Sequence, residues 1–165
     1  MDITVSASGG LAWPDCSARC AIGRSGLRAA KQEGDGATPI GRFALRRVLF
    51  RSDRLAAPET ALPCAVIDPD LGWCDDPSDA AYNKAVRLPY PARHERMWRE
   101  DALYDLLAII GYNDEPVVPA RGSAIFLHVA RPDFGPTEGC IALALDPLRA
   151  LLRVCAPGDH VCIGA

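Results

Sequence analysis

Short apolar runs alternate with turn residues along most of the chain, and few of them are long enough for a helix. The runs at residues 3–7, 20–22, 42–49, 65–67, 85–88, 106–112, 124–129 and 160–163 have strand length, and Gly, Pro, Asn and Asp separate them. The stretch 103–112 is apolar apart from Asp105, which suits a buried strand or a helix, and Gly111 with Asn113-Asp114 beyond it favours the strand. One segment carries a helical period. Leu148, Leu151, Leu152 and Cys155 share a face, Asp146 is placed to cap them, Pro147 suits the first helical position and Pro157-Gly158 ends the run. A shorter helix is predicted over 94–101. The proline-rich middle, 53–91, reads as long loops around short strands, a kind of segment that often carries binding residues. The pattern predicts a mainly β fold with minor α, a mixed-sheet or β-sandwich architecture with one clear C-terminal helix.

Composition narrows this picture. The chain has 165 residues, 49% hydrophobic and 24% charged, with no repeat and no linker, so a single domain spanning 1–165 is expected. A net charge of −3 argues against a protein held on nucleic acid by a general positive field, yet leaves room for a local cationic pocket. No run approaches the roughly 18 apolar residues of a membrane span. Asp2 and the early Gly9-Gly10 do not resemble a secretory leader, so a cytoplasmic location is expected, or a periplasmic one if a leader has been removed. Seven cysteines, an odd number without an export signal, argue against a disulfide framework, and most read as small buried apolar residues. Cys16 and Cys20 have a spacing allowed for zinc, but none of the three histidines stands at ligand distance in the sequence, and no metal is expected.

The chemistry concentrates in Ser123-Ala-Ile-Phe-Leu-His128-Val-Ala-Arg131-Pro-Asp-Phe-Gly-Pro-Thr137-Glu138-Gly139-Cys140-Ile-Ala-Leu143. Strand alternation puts Ala124, Phe126 and His128 on one face and Ile125, Leu127 and Val129 on the other. The segment 131–137, with two prolines and a glycine, must loop, and a loop of that length can return Cys140 beside His128. A thiol next to an imidazole is the pair that makes a nucleophile near neutral pH. Gly139 leaves room for a substrate carbonyl, and the N–H groups of Gly139 and Cys140 are candidate oxyanion donors. The residues alone leave a second reading open, in which Gly-Cys is a turn entering a buried Ile-Ala-Leu strand and the histidine belongs to the core.

The same stretch resembles the signature of YkuD-type L,D-transpeptidases, where a histidine closes a strand before a loop and Ser/Thr-His-Gly-Cys-Ile/Val. Thr137, Gly139, Cys140 and Ile141 fit that pattern, and His128 fits the upstream catalytic histidine. A second block, Lys31-Gln-Glu33-Gly34-Asp35-Gly36-Ala-Thr38-Pro39-Ile-Gly41-Arg-Phe43, resembles the family's Thr-Pro-x-Gly-x-Phe segment. Two positions depart: Glu138 replaces the histidine before Gly-Cys, and Ala142 replaces the polar residue after Cys-Ile. The resemblance implies a YkuD-like fold and a cysteine acyltransferase without cofactor. It implies attack by Cys140 on the bond between the L-centre of a diamino acid and D-alanine in peptidoglycan stem tetrapeptides, with His128 as base, and acylation of Cys140 by carbapenem-type β-lactams.

An amine acceptor makes such an enzyme an L,D-transpeptidase and water makes it an L,D-carboxypeptidase of peptidoglycan recycling. An unexported chain with the two departures is expected to hydrolyse. The candidate substrate contacts are Trp73, His94, Tyr104, Asn113, Arg121, Arg131, Thr137 and Glu138. An arginine, Arg93 or Arg121, would meet stem carboxylates, an aspartate the ammonium, and Trp73 an apolar group. Other classes are a non-catalytic wall-fragment binding module and a redox-sensing thiol protein, the latter without a Cys-x-x-Cys pair to support it.

Overall fold

The computed structural model describes residues 1–164. Its strands are β1 Asp2–Val5, β2 Gly10–Trp13, β3 Cys16–Ala21, β4 Leu27–Arg28, β5 Thr38–Pro39, β6 Gly41–Phe50, β7 Cys64–Val66, β8 Leu71–Cys74, β9 Ala85–Arg87, β10 His94–Arg96, β11 Leu106–Ile110, β12 Phe126–Val129, β13 Ile141–Leu143 and β14 His160–Ile163. The single helix among the described residues, α1, runs Leu145–Val154, between β13 and β14. It is too short to cross a membrane; no described helix is long and apolar enough to do so.

Nine strands form one mixed sheet in the order β11-β12-β13-β3-β2-β1-β14-β6-β7, and β11 also pairs with β6, which closes the sheet on itself. Closure leaves β7, paired with β6 alone, as the terminal strand of this sheet. β8, flanked by β10 and β9, makes a separate small sheet. Period-two alternation splits the apolar residues between two cores. Leu106, Ala108, Leu127 and Val129 join the main core with Ile141, Leu143 and the inner face of α1, while Leu107 and Phe126 turn the other way into a smaller cluster with Trp73, Met97, Tyr104 and Cys140. The small sheet covers that second cluster.

The mainly β fold with one C-terminal helix is as the pattern predicted, with local corrections. The helix starts earlier than expected: its N-cap is Ala144, without a side-chain cap, and Asp146 and Pro147 lie inside the first turn. The position still suits both, because first-turn N–H groups lack intrahelical partners and favour a nearby negative charge. Leu148, Leu151 and Leu152 are buried as predicted, and Cys155 closes the helix as its C-cap. The helix expected over 94–101 is absent. His94–Arg96 instead pairs antiparallel with β8, joining Glu95 to Trp73 and Arg96 to Gly72, and the Met97 N–H donates to the Leu71 carbonyl. Arg96 is exposed and Met97 buried, and the β8 edge supplies the backbone partners that hold the segment extended. β2, β4, β5, β8 and β13 lie outside the predicted runs, and each is only two to four residues long.

All seven cysteines are free. Cys20, Cys74, Cys140 and Cys155 are buried as expected, but Cys16 and Cys64 are exposed.

Candidate active site

β12 and β13 are parallel neighbours with Leu127 opposite Ile141, His128 opposite Ala142 and Val129 opposite Leu143. Cys140 therefore stands one residue ahead of the register, beside Phe126, on the face that His128 shares. The connecting loop is pinned at its far end: the Thr137 N–H donates to Ile22 O, and the Arg24 N–H donates to Thr137 O. The return of Cys140 beside His128 thus follows from parallel pairing of two very short strands. The Ile-Ala-Leu strand of the second sequence reading is present, and the cysteine sits at its mouth.

The thiol is held between two backbone groups. Cys140 Sγ donates to Ala124 O at 3.1 Å and accepts from the Phe126 N–H at 3.4 Å. Ala124 reaches this position with a left-handed φ of 53°, uncommon for a residue with a Cβ, and its own N–H is fixed by Asn83 Oδ1 at 3.0 Å. Asn83 is a buried junction. Its Oδ1 also accepts from Trp73 Nε1, and its Nδ2 donates to the carbonyls of Tyr112 and Asn113.

His128 is buried, and its Nδ1 lies 2.9 Å from Val129 O. A carbonyl can only accept, so Nδ1 carries the proton and Nε2 is left as the basic nitrogen. The Val129 carbonyl is thus the group that fixes the ring. Tyr104 packs edge-on against the imidazole at 5.4 Å, and the Arg99 guanidinium lies 5.1 Å from the Tyr104 ring centre.

Burial dominates the electrostatics of the pair. It pulls the imidazole down to about 4, with the neighbouring Arg99 adding to the fall and the Val129 hydrogen bond opposing it. It pushes the thiol up to about 12, aided by the Glu95 charge and opposed by the Phe126 N–H and Lys31. At neutral pH the resting site is therefore a thiol beside a neutral imidazole, not the preformed thiolate that a Cys-His pair suggests in sequence. Stability follows from the same shift. Between pH 6.5 and about 4 the unfolded chain takes up a proton at His128 that the folded chain refuses, so stability is full above 6.5 and falls by about 3 kcal/mol as pH drops through that window. Urea unfolding at pH 7 and pH 4.5 should show a smaller loss for His128→Gln; equal losses would assign the acid sensitivity elsewhere.

Gly139 is required by the protein itself. Its φ is +140°, and a Cβ there would stand 2.8 Å from Ala37 O, so the second sequence block packs directly against the Gly-Cys turn. The space on the Cβ side of Gly139 is taken up by that backbone. The Gly139 N–H donates to Thr137 Oγ1 at 3.1 Å, and the Thr137 hydroxyl donates to Cys140 O at 2.6 Å. Of the two expected oxyanion donors, Gly139 is thus engaged, while no hydrogen bond among the described residues engages the Cys140 N–H. The second block is itself held by Asp35, which accepts from Lys31 Nζ at 2.8 Å and from the Gln32 and Ala37 N–H groups.

A cavity of about 600 Å³ opens onto Cys140, His128 and Tyr104, with Arg131, Thr137 and Glu138 at its rim. Those six positions the sequence had marked come together. Four others do not. Trp73 is buried in the second core, edge-on to Phe126 at 5.2 Å, and forms no wall of this cavity. Asn113 staples its own loop, donating to Val118 O and Gly122 O and accepting from the Val118 N–H. Arg121 lies on a separate surface hollow and offers its carbonyl to Tyr112. His94 faces away from the cavity, with Nδ1 2.8 Å from Ala92 O. Polar groups were assigned from loop position in these four cases, and here they satisfy turns and core junctions instead. Glu138 pairs with Arg24, not with Arg131, and is largely exposed.

Sequence reasoning missed Lys31, Glu33 and Arg99 as cavity residues, whereas the Arg93-His94-Glu95 segment reads in sequence as one that can line the site, and Arg93 and Glu95 do so.

The mixed, closed β-sheet thus presents a buried thiol and an oriented imidazole in one cleft. The sequence matches the L,D-transpeptidase catalytic domain family, YkuD, over residues 8–163, and the chain belongs to that family. A peptidoglycan-related substrate goes with that membership. No curated protein and no solved structure matches the chain.

Proposed function

We propose that the protein is a cysteine-dependent L,D-carboxypeptidase, which removes D-alanine from peptidoglycan stem tetrapeptides. The observation that carries this reading is the placement of Cys140 Sγ and the unprotonated His128 nitrogen on one face of the β12–β13 pair, at the floor of one cavity. As Sγ attacks the carbonyl of the L-centre, His128 Nε2 takes the thiol proton. The S–C bond forms, the C–N bond to D-alanine breaks, and the leaving amine recovers the proton from His128. Water, deprotonated by the same nitrogen, then opens the thioester. Because the resting pair is neutral, proton transfer accompanies attack instead of preceding it. Arg131, exposed at the rim and without an ion-pair partner among the described residues, suits the terminal carboxylate of the donor.

Hydrolysis is favoured over transfer by the acceptor side. Ala142, in register with His128, puts a methyl group on the cavity wall where the family pattern has a polar residue, and Glu138 is tied to Arg24. Few groups are left there to hold a second peptide. Cytoplasmic recycling of soluble muropeptides is part of this proposal. Incubation with a tetrapeptide muropeptide, alone and with excess D-amino acid or a second stem, should yield tripeptide and free D-alanine as the main products. Dominant exchange product or dimer would replace hydrolysis with transpeptidation at the same nucleophile.

A further inference from the structure

The cavity holds a charged group that the hydrolytic scheme leaves unused. Glu95 lies on β10, and its half-buried carboxylate lines the cavity that Cys140 and His128 share. The Tyr104 hydroxyl donates to its Oε1, and among the described residues no hydrogen bond or ion pair engages Oε2. Most other charges around the cavity are matched within the protein. Arg93 pairs with Asp75, Arg99 with Asp101, Lys31 with Asp35 and Arg24 with Glu138, while Glu33 accepts from the hydroxyls of Tyr82 and Ser123. Arg131, at the rim, is taken by the donor carboxylate in the scheme above.

A half-buried carboxylate whose only bonded partner in the protein is a neutral hydroxyl leaves one oxygen open to the cavity as an acceptor for a cation. Burial pushes the Glu95 carboxyl above its usual range, against the Tyr104 hydrogen bond and the charge of the nearby Arg99, whose guanidinium is itself bound to Asp101. The position is also rigid. Tyr104 joins Glu95 through its hydroxyl and His128 through its ring, so Oε2 is fixed relative to the base.

We propose that Glu95 binds the ammonium group of a cationic side chain on the acyl-donor residue, and so selects diamino donors over neutral ones. The assignment rests on the reading of this cavity as the acyl-donor site. A compact ammonium offers three donors, enough to bond Oε2 while keeping contact with water or substrate carbonyls. It has a second consequence. The Glu95 charge opposes ionisation of Cys140, and a bound ammonium cancels that opposition, so the correct donor eases attack on itself.

The test compares a stem tetrapeptide carrying a free side-chain ammonium with its twin acetylated at that nitrogen. Calorimetric Kd values are measured on Cys140→Ala and on Cys140→Ala/Glu95→Gln, and kcat/KM on wild type and Glu95→Gln. The free-ammonium peptide should bind Cys140→Ala about tenfold or more tightly than its twin, and the preference should vanish with Glu95→Gln. Iodoacetamide labelling of Cys140 in Glu95→Gln that stays slow at neutral pH, as in the folded wild type, verifies that the cavity is formed. A preference of equal size in both backgrounds overturns the assignment to Glu95, and absence of any preference or of binding in Cys140→Ala overturns the ammonium site. Should wild type turn over neither peptide while the binding preference holds, the hydrolase reading fails and the Glu95 assignment stands.

Discussion

Cys140→Ala should abolish release of D-alanine, by roughly four orders of magnitude or more, while the circular dichroism spectrum and unfolding midpoint stay near wild type. The loss is large because no other group in the cavity can form the acyl intermediate. Tyr104 is buried with its hydroxyl committed to Glu95, and Ser123 donates to Glu33. The fold should survive, because Cys140 holds its neighbours through one contact to Ala124 O and one from Phe126 N, both at the edge of the second core. Cys16→Ala and Cys162→Ala serve as controls. Cys16 is exposed on β3 and Cys162 stands near Asp2 and Arg42 at the opposite part of the sheet, so both variants should keep full activity. Residual turnover at wild-type rates in Cys140→Ala would end the proposed mechanism.

His128→Ala should lower kcat/KM by about two to four orders of magnitude, with most of the loss in the chemical step. In wild type the rate should fall only as the pH approaches about 4, where His128 gains the proton that prevents it from accepting one from the thiol. Above that the profile should be flat through neutrality, with no limb near 6.5. Alkylation of Cys140 by iodoacetamide gives the complementary measurement. In wild type it should be slow at neutral pH and rise steeply only in alkali, since burial holds the thiol up to about 12. His128→Ala should shift that profile, because the imidazole no longer shares the proton. Identical alkylation profiles in the two proteins would show that His128 does not act on the thiol, and an activity limb near 6.5 would refute the neutral resting pair.

Much of the site was legible from residue order because its parts are local. His128 and Phe126 share a face by strand alternation, which needs only the backbone pleat. Gly139 before Cys140 marked a tight turn, although the reason for the glycine, the Ala37 carbonyl, lies about a hundred residues earlier in the chain. The second block, from Lys31 to Phe43, was recognised as a motif without its purpose: it is the wall against which the Gly-Cys turn packs. Trp73, Asn113, Arg121 and His94 were misplaced for one common reason. A polar or aromatic residue in a loop has the same appearance whether it meets a ligand or satisfies its own backbone, and the hydrogen bonds of Asn113 and His94 are of the second kind.

The order of apolar and polar positions by itself determined the mainly β class and the C-terminal helical face, because both depend on periodicity, while the resemblance of residues 123–143 to a family signature singled out Cys140 and His128 as the candidate pair. Only the tertiary structure decided how the sheet closes through β11 and β6, that β10 is a strand and that Glu95 enters the cavity beside Tyr104. It also decided the protonation state of the resting pair. A cysteine and a histidine in sequence imply an ion pair, but packing removes water from both, and charge that is not compensated in a dry site is expelled as protons are redistributed. Pairing between distant strands and the loss of water on burial are properties of the assembled chain, and no local pattern encodes their strength.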